Sequence, residues 1–357
     1  MIISRTPFRL SFFGGGTDYP VWYRKYGGSV LVTSIDKYCY LSCRYFPPFF
    51  EHKFRIVYVR SENCKTIDEI SHPAVREILH YLKWDRGLEI HHVGDLPARG
   101  GMGSSSSFTV GLVHALYGLR GQLMSKKQLA MEGIHIEQDL LRETVGSQDQ
   151  VSAAYGGLNQ IIFAKNGEVT VKPLTLPEER VRELESHLML FYTGIRRTAS
   201  VVAQNYINHM EDKREQMETI IGMVDESIAI LHSNRDIAAF GKLLDETWQA
   251  KRKLGDQVSN ADIDEIYAAA VSAGAIGGKI AGAGGGGFMV LFVPPERREQ
   301  VRERLKKLVH VPFKFEGSGS QIIFYDPQED FSSSENERAT LPIQEFRELG
   351  EDRKSDH

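Results

Sequence analysis

A run of glycine and serine residues joins a strand pattern to a helix pattern, and this junction restricts the fold more than any other segment. The run is PARGGMGSSSS, residues 97–107. Leu88–His92 before it has strand character, and apolar helical spacing begins at Phe108. A glycine-rich loop entering a helix directs backbone N–H groups and the positive end of the helix dipole at one point. The segment therefore predicts a phosphate site.

A flexible Gly/Ser linker is the alternative interpretation of this run. The amphipathic helix that follows directly disfavours a linker. The run is not a Walker A motif either, because Gly278-Lys279 is followed by Ile280 and GxxxxGK[ST] occurs nowhere in the chain. The serines can cap the helix, and one hydroxyl can ligate Mg²⁺ held by the same phosphates. A P-loop nucleotide hydrolase is thus disfavoured.

A second glycine run, KIAGAGGGG at residues 279–287, contains the pattern GxGxxG. It leads into the apolar strand Phe288–Val293 rather than into a helix, so the context of a dinucleotide-binding site is absent. A nicotinamide-dependent dehydrogenase is therefore disfavoured. A purely structural turn between a helix and a strand remains open for this segment.

A third run, FGGGTDY at residues 13–19, follows the strand pattern of Ser4–Leu10. It places flexible backbone, the hydroxyl of Thr17 and the carboxylate of Asp18 close together. A carboxylate that accepts two hydroxyl hydrogen bonds discriminates between sugars, since a buried acceptor without its partner costs about 1–3 kcal/mol. The turn therefore indicates a polyol site, while a turn-capping role for Asp18 remains the alternative.

Two acidic residues, Glu137 and Asp149, lie between the glycine runs at 97–107 and 279–287. Glu137 lies in a helical pattern, where acidic residues are usually only solvated. Asp149 lies in a weakly charged stretch between Gly146 and the small residues Ala153, Ala154, Gly156 and Gly157. A carboxylate in such tight packing is expected to have a specific partner.

Length and charge limit the class of protein. At 357 residues the chain is expected to form two domains, 1–180 and 181–327, followed by a polar tail at 328–357. Forty-three Lys and Arg against 47 Asp and Glu give a net charge of −4, without the basic excess that nucleic-acid binding requires. Nucleic acid is therefore not expected as a partner.

Compartment and secondary structure follow from local patterns. Three cysteines, an N-terminal stretch interrupted by arginines and the lack of any run of about 20 apolar residues predict a cytoplasmic protein without membrane association. Asn166-Gly167 between two strand patterns, 158–164 and 168–174, predicts a β-hairpin. Strand and helix patterns alternate along the chain. Homo-oligomerisation is left open.

Together these segments resemble the GHMP kinase superfamily. Its first motif corresponds to residues 5–19, its second to 97–107 and its third to 279–287, in the family's order, with Glu137 and Asp149 between the second and third. The resemblance spans about residues 1–327. It implies an α+β fold with an N-terminal domain of ribosomal protein S5-like topology and a ferredoxin-like C-terminal domain. ATP and the sugar would bind in the cleft between them.

Within the superfamily, the first motif and the later TSIDKYCY segment at 33–40 look most like the D-glycero-D-manno-heptose 7-phosphate kinases. Those enzymes phosphorylate the anomeric C1 hydroxyl. Galactokinases carry a Glu-His pair where this chain has Gly15-Gly16, which disfavours galactose. A kinase acting on a free sugar such as fucose, and a catalytically silent sensor of sugar or ATP, are the competing hypotheses.

The resemblance also implies roles for individual residues. Asp149 would accept the proton of the attacking hydroxyl, and Arg9 would face it and neutralise charge on the transferring phosphoryl group. Ser105 and Glu137 would ligate Mg²⁺, with the serine uncertain within its run. The remaining positions divide into an ATP phosphate group, Gly101, Gly103, Ser104, Ser105 and Ser106, and a sugar-binding group, Gly15, Gly16, Thr17, Asp18, Gly282, Ala283 and Gly284.

A substrate that already carries a phosphate needs a cationic contact. Arg196 and Arg197 follow a strand pattern in a glycine-containing turn and are the candidates. Solvation at the surface is the alternative for both. Tyr45 and Trp84 are candidates to flank the adenine, although aromatic residues more often belong to the core.

Overall fold

The fold is α+β, with two sheets and helices packed against them. A computed structural model describes residues 1–195, 207, 210–255, 257–327, 331, 333 and 337. The strands are β1 Ile2–Phe13, β2 Gly28–Tyr45, β3 Phe54–Val57, β4 Ser61–Cys64, β5 Leu88–Gly94, β6 Leu158–Phe163, β7 Val169–Pro173, β8 Leu188–Tyr192, β9 Gly277–Ile280, β10 Phe288–Phe292, β11 Val309–Val311, β12 Phe315–Glu316 and β13 Gln321–Tyr325. The helices are α1 Pro20–Tyr26, α2 Pro73–Tyr81, α3 Ser104–Leu119, α4 Lys126–His135, α5 Gln148–Tyr155, α6 Glu178–His187, α7 Arg214–His232, α8 Ala238–Arg252, α9 Ala261–Ser272 and α10 Arg298–Arg304.

The first sheet is built around the long antiparallel pair β1 and β2. Its strands run in the order β13-β1-β2-β5-β3-β4, with β6 and β12 also pairing with β2 and β7 pairing with β6. The predicted hairpin is confirmed as β6 and β7, where Asn159 pairs with Pro173 and Phe163 with Val169. Because β1 is almost fully buried, its side chains lie in the interior of the protein.

The second sheet is antiparallel and has the strand order β11-β8-β10-β9. Along the chain its elements follow as strand, helices, two strands, helix and strand, which is the order of a ferredoxin-like unit. β12 and β13 lie beyond this unit and pair with β2 and β1 of the first sheet. The predicted division near residue 180 stays a prediction.

Helix α3 begins four residues earlier than its apolar spacing predicts. Gly103 has φ +76° and precedes the helix, and the N–H of Ser107 donates to the carbonyl of Gly103 at 2.9 Å. A positive φ is accessible to glycine at little cost, so the chain can turn sharply into the helix there. The serine run therefore forms the first turn of α3 instead of a loop before it.

Aromatic side chains join the first sheet to the helices of the second half. Phe240 on α8 contacts Phe12 and Phe13 of β1 edge to face, with ring centroids 5.5 and 5.0 Å apart. All three rings are fully buried. The end of β1, which carries the first glycine motif, is thereby held against the second half of the chain. Among the described helices, none is both long and apolar enough to cross a bilayer.

Candidate active site

Arg9 on β1 and Asp149 at the start of α5 form a bidentate ion pair. The Arg9 Nε and Nη2 atoms donate to the Asp149 Oδ1 and Oδ2 atoms at 2.7 and 2.8 Å. The Arg9 Nη1 atom donates to the carbonyl of Gly101 at 2.5 Å. Arg9 is buried, while the Asp149 side chain keeps 23% of its surface exposed. The pair is thus rigid on the arginine side and open to a ligand on the aspartate side.

The N-terminus of α3 lies beside this pair. A Cβ atom built on Gly103 would be 3.1 Å from the Cγ of Arg9 and 3.5 Å from the Oδ2 of Asp149. The backbone N–H of Arg9 also donates to the carbonyl of Met102 at 3.0 Å. A helix N-terminus favours negative charge through its free N–H groups and its dipole. An anion bound there would meet the open oxygen atoms of Asp149.

The second and third glycine motifs are in direct contact. A Cβ atom on Gly101 would come within 2.4 Å of the carbonyl oxygen of Ala281, and one on Gly282 within 2.7 Å of the Cα of Gly101. Both glycines also have positive φ values, +79° and +70°. Side chains are excluded at these positions because the two backbones touch. The third motif thereby supports the loop that leads into α3.

The first motif brings Asp18 to the same place from the other side. Asp18 is buried and its Oδ1 atom accepts from the N–H of Gly16 at 2.9 Å, while its Oδ2 atom accepts from the N–H of Gln148 at 3.3 Å. The pKa of Asp18 is raised by burial and, to a smaller degree, by the charge of Asp149. Asp18 therefore combines a structural role in the turn with a position next to Asp149.

Glu137 is paired with a different serine from the one that the resemblance suggests. The Ser106 hydroxyl donates to the Oε2 atom of Glu137 at 2.7 Å, Thr109 donates to Oε1 at 3.1 Å, and the Gln150 amide also donates to Oε2. Ser106 and Glu137 are both buried, whereas Ser105 is exposed. The helical turn of about 100° per residue separates the two serines, so only Ser106 faces Glu137. Ser106 replaces Ser105 as the candidate metal ligand.

The buried Glu137 carboxylate fits a cation site by its chemistry. Burial is the largest influence and raises its pKa to about 7, partly opposed by the hydrogen bonds from Ser106 and Gln150. Its partners in the described part of the chain are neutral donors. Carboxylate and hydroxyl oxygens are hard ligands of the kind that Mg²⁺ prefers. A divalent cation would supply a positive countercharge to the Glu137 carboxylate, which these neutral donors do not provide.

A cavity opens between the three motifs and Asp149. It is lined by the predicted residues Arg9, Gly15, Gly16, Asp18, Asp149, Gly282 and Ala283, together with Ser11, Tyr19, Gly146, Gln148, Lys251 and Lys279. Residues far apart in the sequence therefore surround one space. Its polar and charged lining suits a polar ligand at the oxygen atoms of Asp149.

Two buried lysines in this cavity were missed by sequence reasoning. The Lys251 Nζ atom, on α8, donates to the carbonyl of Gly282, and the Lys279 Nζ atom, on β9, donates to the carbonyl of Phe12 at 2.8 Å. Burial lowers the pKa of Lys251 to about 8, assisted by the charge of Arg9. Burial also lowers the pKa of Lys279 well below its ordinary value, and the charges of Lys251 and Arg9 add to the effect. A lysine inside an amphipathic helix gives no sign in the sequence that its end is buried.

Some predicted positions lie elsewhere. The Thr17 hydroxyl is buried and donates to the carbonyls of Gly14 and Ser29 at 2.8 and 3.0 Å, so it stabilises the turn. Gly284 packs against Val258, where a Cβ atom would come within 2.6 Å of the carbonyl oxygen. Neither is among the described residues that line the cavity. Both are therefore structural in this arrangement.

Of the other predicted positions, one lies near the start of α3 and two lie outside the described residues. Ser104 is half-buried, and its hydroxyl accepts from the N–H of Arg99 at 3.3 Å. Arg196 and Arg197 lie outside the described residues. The preceding residue, Ile195, accepts a hydrogen bond from the N–H of Gly287 at 2.9 Å, which brings it beside the third motif.

Tyr45 and Trp84 belong to the core at the other end of α3. Their rings stack with centroids 6.1 Å apart, and the Tyr45 hydroxyl donates to the carbonyl of Leu119 at 3.0 Å. Leu119 ends α3, so this cluster is about 24 Å along the helix from its phosphate-facing start. They do not flank an adenine bound at that start.

The chain matches known proteins in both of its halves. Residues 69–157 match the model of the GHMP kinases N terminal domain, and residues 228–311 match that of the GHMP kinases C terminal domain. The D-glycero-alpha-D-manno-heptose 7-phosphate kinase of Campylobacter jejuni is 29% identical over 86% of this chain and 93% of its own length. The L-fucokinase/L-fucose-1-P guanylyltransferase of Bacteroides fragilis is 25% identical over 87% of this chain and 36% of its own.

A solved structure shares the fold over almost the whole chain. The crystal structure described as a D-glycero-D-manno-heptose 1-phosphate kinase from Bacteroides thetaiotaomicron superposes with a TM-score of 0.75 at 25% identity, covering 91% of this chain and 100% of that one. The matched domains include α3, Glu137 and Asp149 in the first and Lys251 and the third motif in the second. The chain belongs to the GHMP kinase superfamily.

Proposed function

We propose that this kinase transfers the γ-phosphoryl group of ATP to the anomeric C1 hydroxyl of D-glycero-D-manno-heptose 7-phosphate, giving the 1,7-bisphosphate for nucleotide-activated heptose synthesis. The observation that carries the proposal is the proximity of the start of α3 to Asp149. A Cβ atom built on Gly103 would lie 3.5 Å from the Oδ2 atom of Asp149. A phosphate donor at the helix start and a hydroxyl acceptor at the carboxylate would be in reach of each other. Phosphoryl transfer depends mainly on such positioning and on charge stabilisation.

In the proposed reaction, the N–H groups at the start of α3 and the adjoining glycine loop bind the ATP phosphates. Gly101, Gly103, Ser104, Ser105 and Ser106 supply this surface. The hydroxyl group of the acceptor lies against Asp149, which takes its proton as the oxygen bonds to the γ-phosphorus. The bond from the γ-phosphorus to the bridging oxygen breaks at the same time, and ADP leaves. Arg9 holds both oxygen atoms of Asp149 and offers positive charge beside the transferring group.

Glu137 and Ser106 are the residues that would hold Mg²⁺. When bound, the cation neutralises part of the charge on the ATP phosphates. The protein's own contribution is to keep the carboxylate of Glu137 buried and oriented by Ser106, Thr109 and Gln150. The hydroxyl of Ser106 is directed at that carboxylate from the first turn of α3.

Asp18, Gly15 and Gly16 would contact the sugar, with Gly282 and Ala283 on the opposite wall of the cavity. The names of two relatives put the existing phosphate at different ends of the heptose, at C7 for the Campylobacter protein and at C1 for the Bacteroides structure. We favour C7, because the first-motif resemblance points to enzymes that act at the anomeric hydroxyl.

Phosphorus NMR of the product tests the proposal. The protein is incubated with ATP, Mg²⁺ and heptose 7-phosphate, and the coupling of the new phosphate locates it on the sugar. A phosphate on C1 is expected, and turnover on heptose 7-phosphate should exceed turnover on free heptose and on fucose. A new phosphate elsewhere, or equal turnover on the unphosphorylated sugars, would overturn the assignment. No transfer to any sugar would favour a silent sensor.

A further inference from the structure

Two polar atoms of the cavity are buried and find no hydrogen-bond partner among the residues that the structure describes. Ser11 Oγ and Gln148 Oε1 make no hydrogen bond within the described part of the chain, although their residues are only 4% and 7% exposed. Both residues line the cavity that contains Asp149. Buried polar groups are nearly always hydrogen-bonded, and leaving one unpaired is unfavourable. Two unpaired atoms at one cavity indicate a ligand that supplies their partners.

Both side chains approach the same point above Gly15. A Cβ atom built on Gly15 would be 3.7 Å from Ser11 Oγ and 3.9 Å from Gln148 Nε2. The absence of a side chain at Gly15 keeps this space open to a ligand. A larger side chain at this position would fill it.

The backbones of the two residues are fixed while their side chains remain available. Ser11 pairs with Val32 in the β1–β2 ladder. The N–H of Gln148 donates to Asp18, and its carbonyl accepts from the Ser152 hydroxyl at 2.7 Å. The geometry therefore presents the side chains to the cavity from rigid elements, as a specificity site requires.

We propose that Ser11 and Gln148 bind hydroxyl groups of the acceptor and determine its specificity. The inference rests on the proposed function and extends it to two residues to which the family resemblance assigns no role. A serine hydroxyl both donates and accepts, and the glutamine carbonyl accepts, so sugar hydroxyls can satisfy both. The charged lining residues Arg9, Lys251 and Lys279 offer contacts for anions, whereas this neutral pair matches uncharged hydroxyl groups.

Steady-state kinetics of Ser11→Ala and Gln148→Leu test the inference in the full-length enzyme. Each variant should raise the KM for the sugar about tenfold, as expected for a lost buried hydrogen bond, with the KM for ATP unchanged. Monodeoxy analogues of the acceptor add a second measurement. The deoxy sugar that lacks the contacted hydroxyl should lose about tenfold in kcat/KM with the wild type and almost nothing further with the variant.

Gly15→Ala is a second test that removes no hydrogen bond. Its methyl group would meet Ser11 and Gln148 at ordinary contact distances, so folding should be retained, and the KM for the sugar should again rise. Ser227→Ala is the matched control, because Ser227 is also buried but its hydroxyl donates to the carbonyl of Val224 within its own helix. Thermal unfolding midpoints establish that each variant is folded.

The outcomes separate this inference from the proposed function. A wild type that phosphorylates no sugar contradicts the function itself. An active wild type whose folded Ser11, Gln148 and Gly15 variants keep the same sugar KM, and still reject the deoxy analogue equally, overturns the inference alone.

Discussion

Arg9 donates hydrogen bonds to both carboxylate oxygens of Asp149, and its third nitrogen donates to the carbonyl of Gly101. One guanidinium thus connects the acceptor side of the site to the loop before α3. Its planar fork suits two parallel hydrogen bonds, which a lysine cannot make. The relative placement of donor and acceptor sites depends on this contact.

Asp149→Asn should reduce transfer by at least about a hundredfold, since general-base catalysis typically contributes that much or more. The amide keeps the size of the side chain but cannot take the proton of the attacking hydroxyl. ATP affinity, measured by calorimetry, should change little. Asp139→Asn is the control, because Asp139 is exposed and pairs with His135. An unchanged rate in Asp149→Asn would remove Asp149 from the mechanism.

The position of Ser106 allows a test between neighbouring serines. Ser106→Ala removes the hydroxyl that faces Glu137 and should raise the Mg²⁺ concentration for half-maximal rate about tenfold, as for loss of one ligand or its support. Ser105→Ala, on the exposed side of the same turn, should leave that concentration unchanged. Titration of Mg²⁺ at fixed ATP measures both. A larger effect of Ser105→Ala would reverse the assignment.

The pKa of Glu137, about 7, adds a pH dependence to the same titration. Below pH 7 the carboxyl group is increasingly protonated, and a protonated carboxyl group is a poor metal ligand. The Mg²⁺ requirement should therefore rise as the pH falls through 7. Glu137→Gln should have a high Mg²⁺ requirement at every pH.

Much of this site follows from the sequence, because glycine motifs carry their geometry in the residues themselves. The loop before α3 could be predicted as a phosphate site because glycines that lead into a helix let several backbone N–H groups point at one spot. The close approach of Gly101 to Gly282 became visible only in the structure. The contact of Asp149 with Arg9 could be expected only through the family resemblance, since they lie 140 residues apart. The place of Lys251 in the site could not be predicted, because its helix has an ordinary amphipathic pattern. The burial of its amine depends on contacts with the other half of the protein.

The choice between Ser105 and Ser106 also lay beyond the sequence. Four consecutive serines look equivalent until the start of the helix is known, and the helix begins at Ser104 rather than near Phe108. The rotation from one residue to the next then decides which hydroxyl is buried against Glu137. A shift of one residue changes the candidate ligand.

Lys251→Met should stabilise the protein while weakening catalysis. A pKa lowered from 10.5 to about 8 means that burying the charged amine costs about 3 kcal/mol at pH 7. That cost is fully present below pH 8 and disappears as the pH rises toward the ordinary lysine range, so the stability difference should shrink in the same interval. Chemical denaturation at pH 7 and pH 10 measures it.

The activity of the same variant tests why the charge is retained. Lys251 lies beside the cavity and near Asp18 and Asp149, so we expect Lys251→Met to lower kcat/KM for the sugar. In the wild type this parameter should fall above pH 8 as the amine loses its proton. Lys242→Met, on the exposed side of α8, is the control for both measurements. Lower stability together with full activity would contradict both expectations.

Arg196 and Arg197 are the proposed contacts for the phosphate already present on the substrate. The hydrogen bond from Gly287 to the carbonyl of Ile195 brings the residue before them to the third motif, which supports this proposal. Arg196→Ala and Arg197→Ala should each raise the KM for heptose 7-phosphate about 10- to 100-fold, as for a lost hydrogen bond to a charged group. The KM for free heptose should stay the same, because that sugar lacks the phosphate. Arg302→Ala, which removes an exposed partner of Glu299 on α10, should affect neither sugar. Equal effects of the arginine variants on both sugars would mean that Arg196 and Arg197 do not bind the phosphate of the substrate.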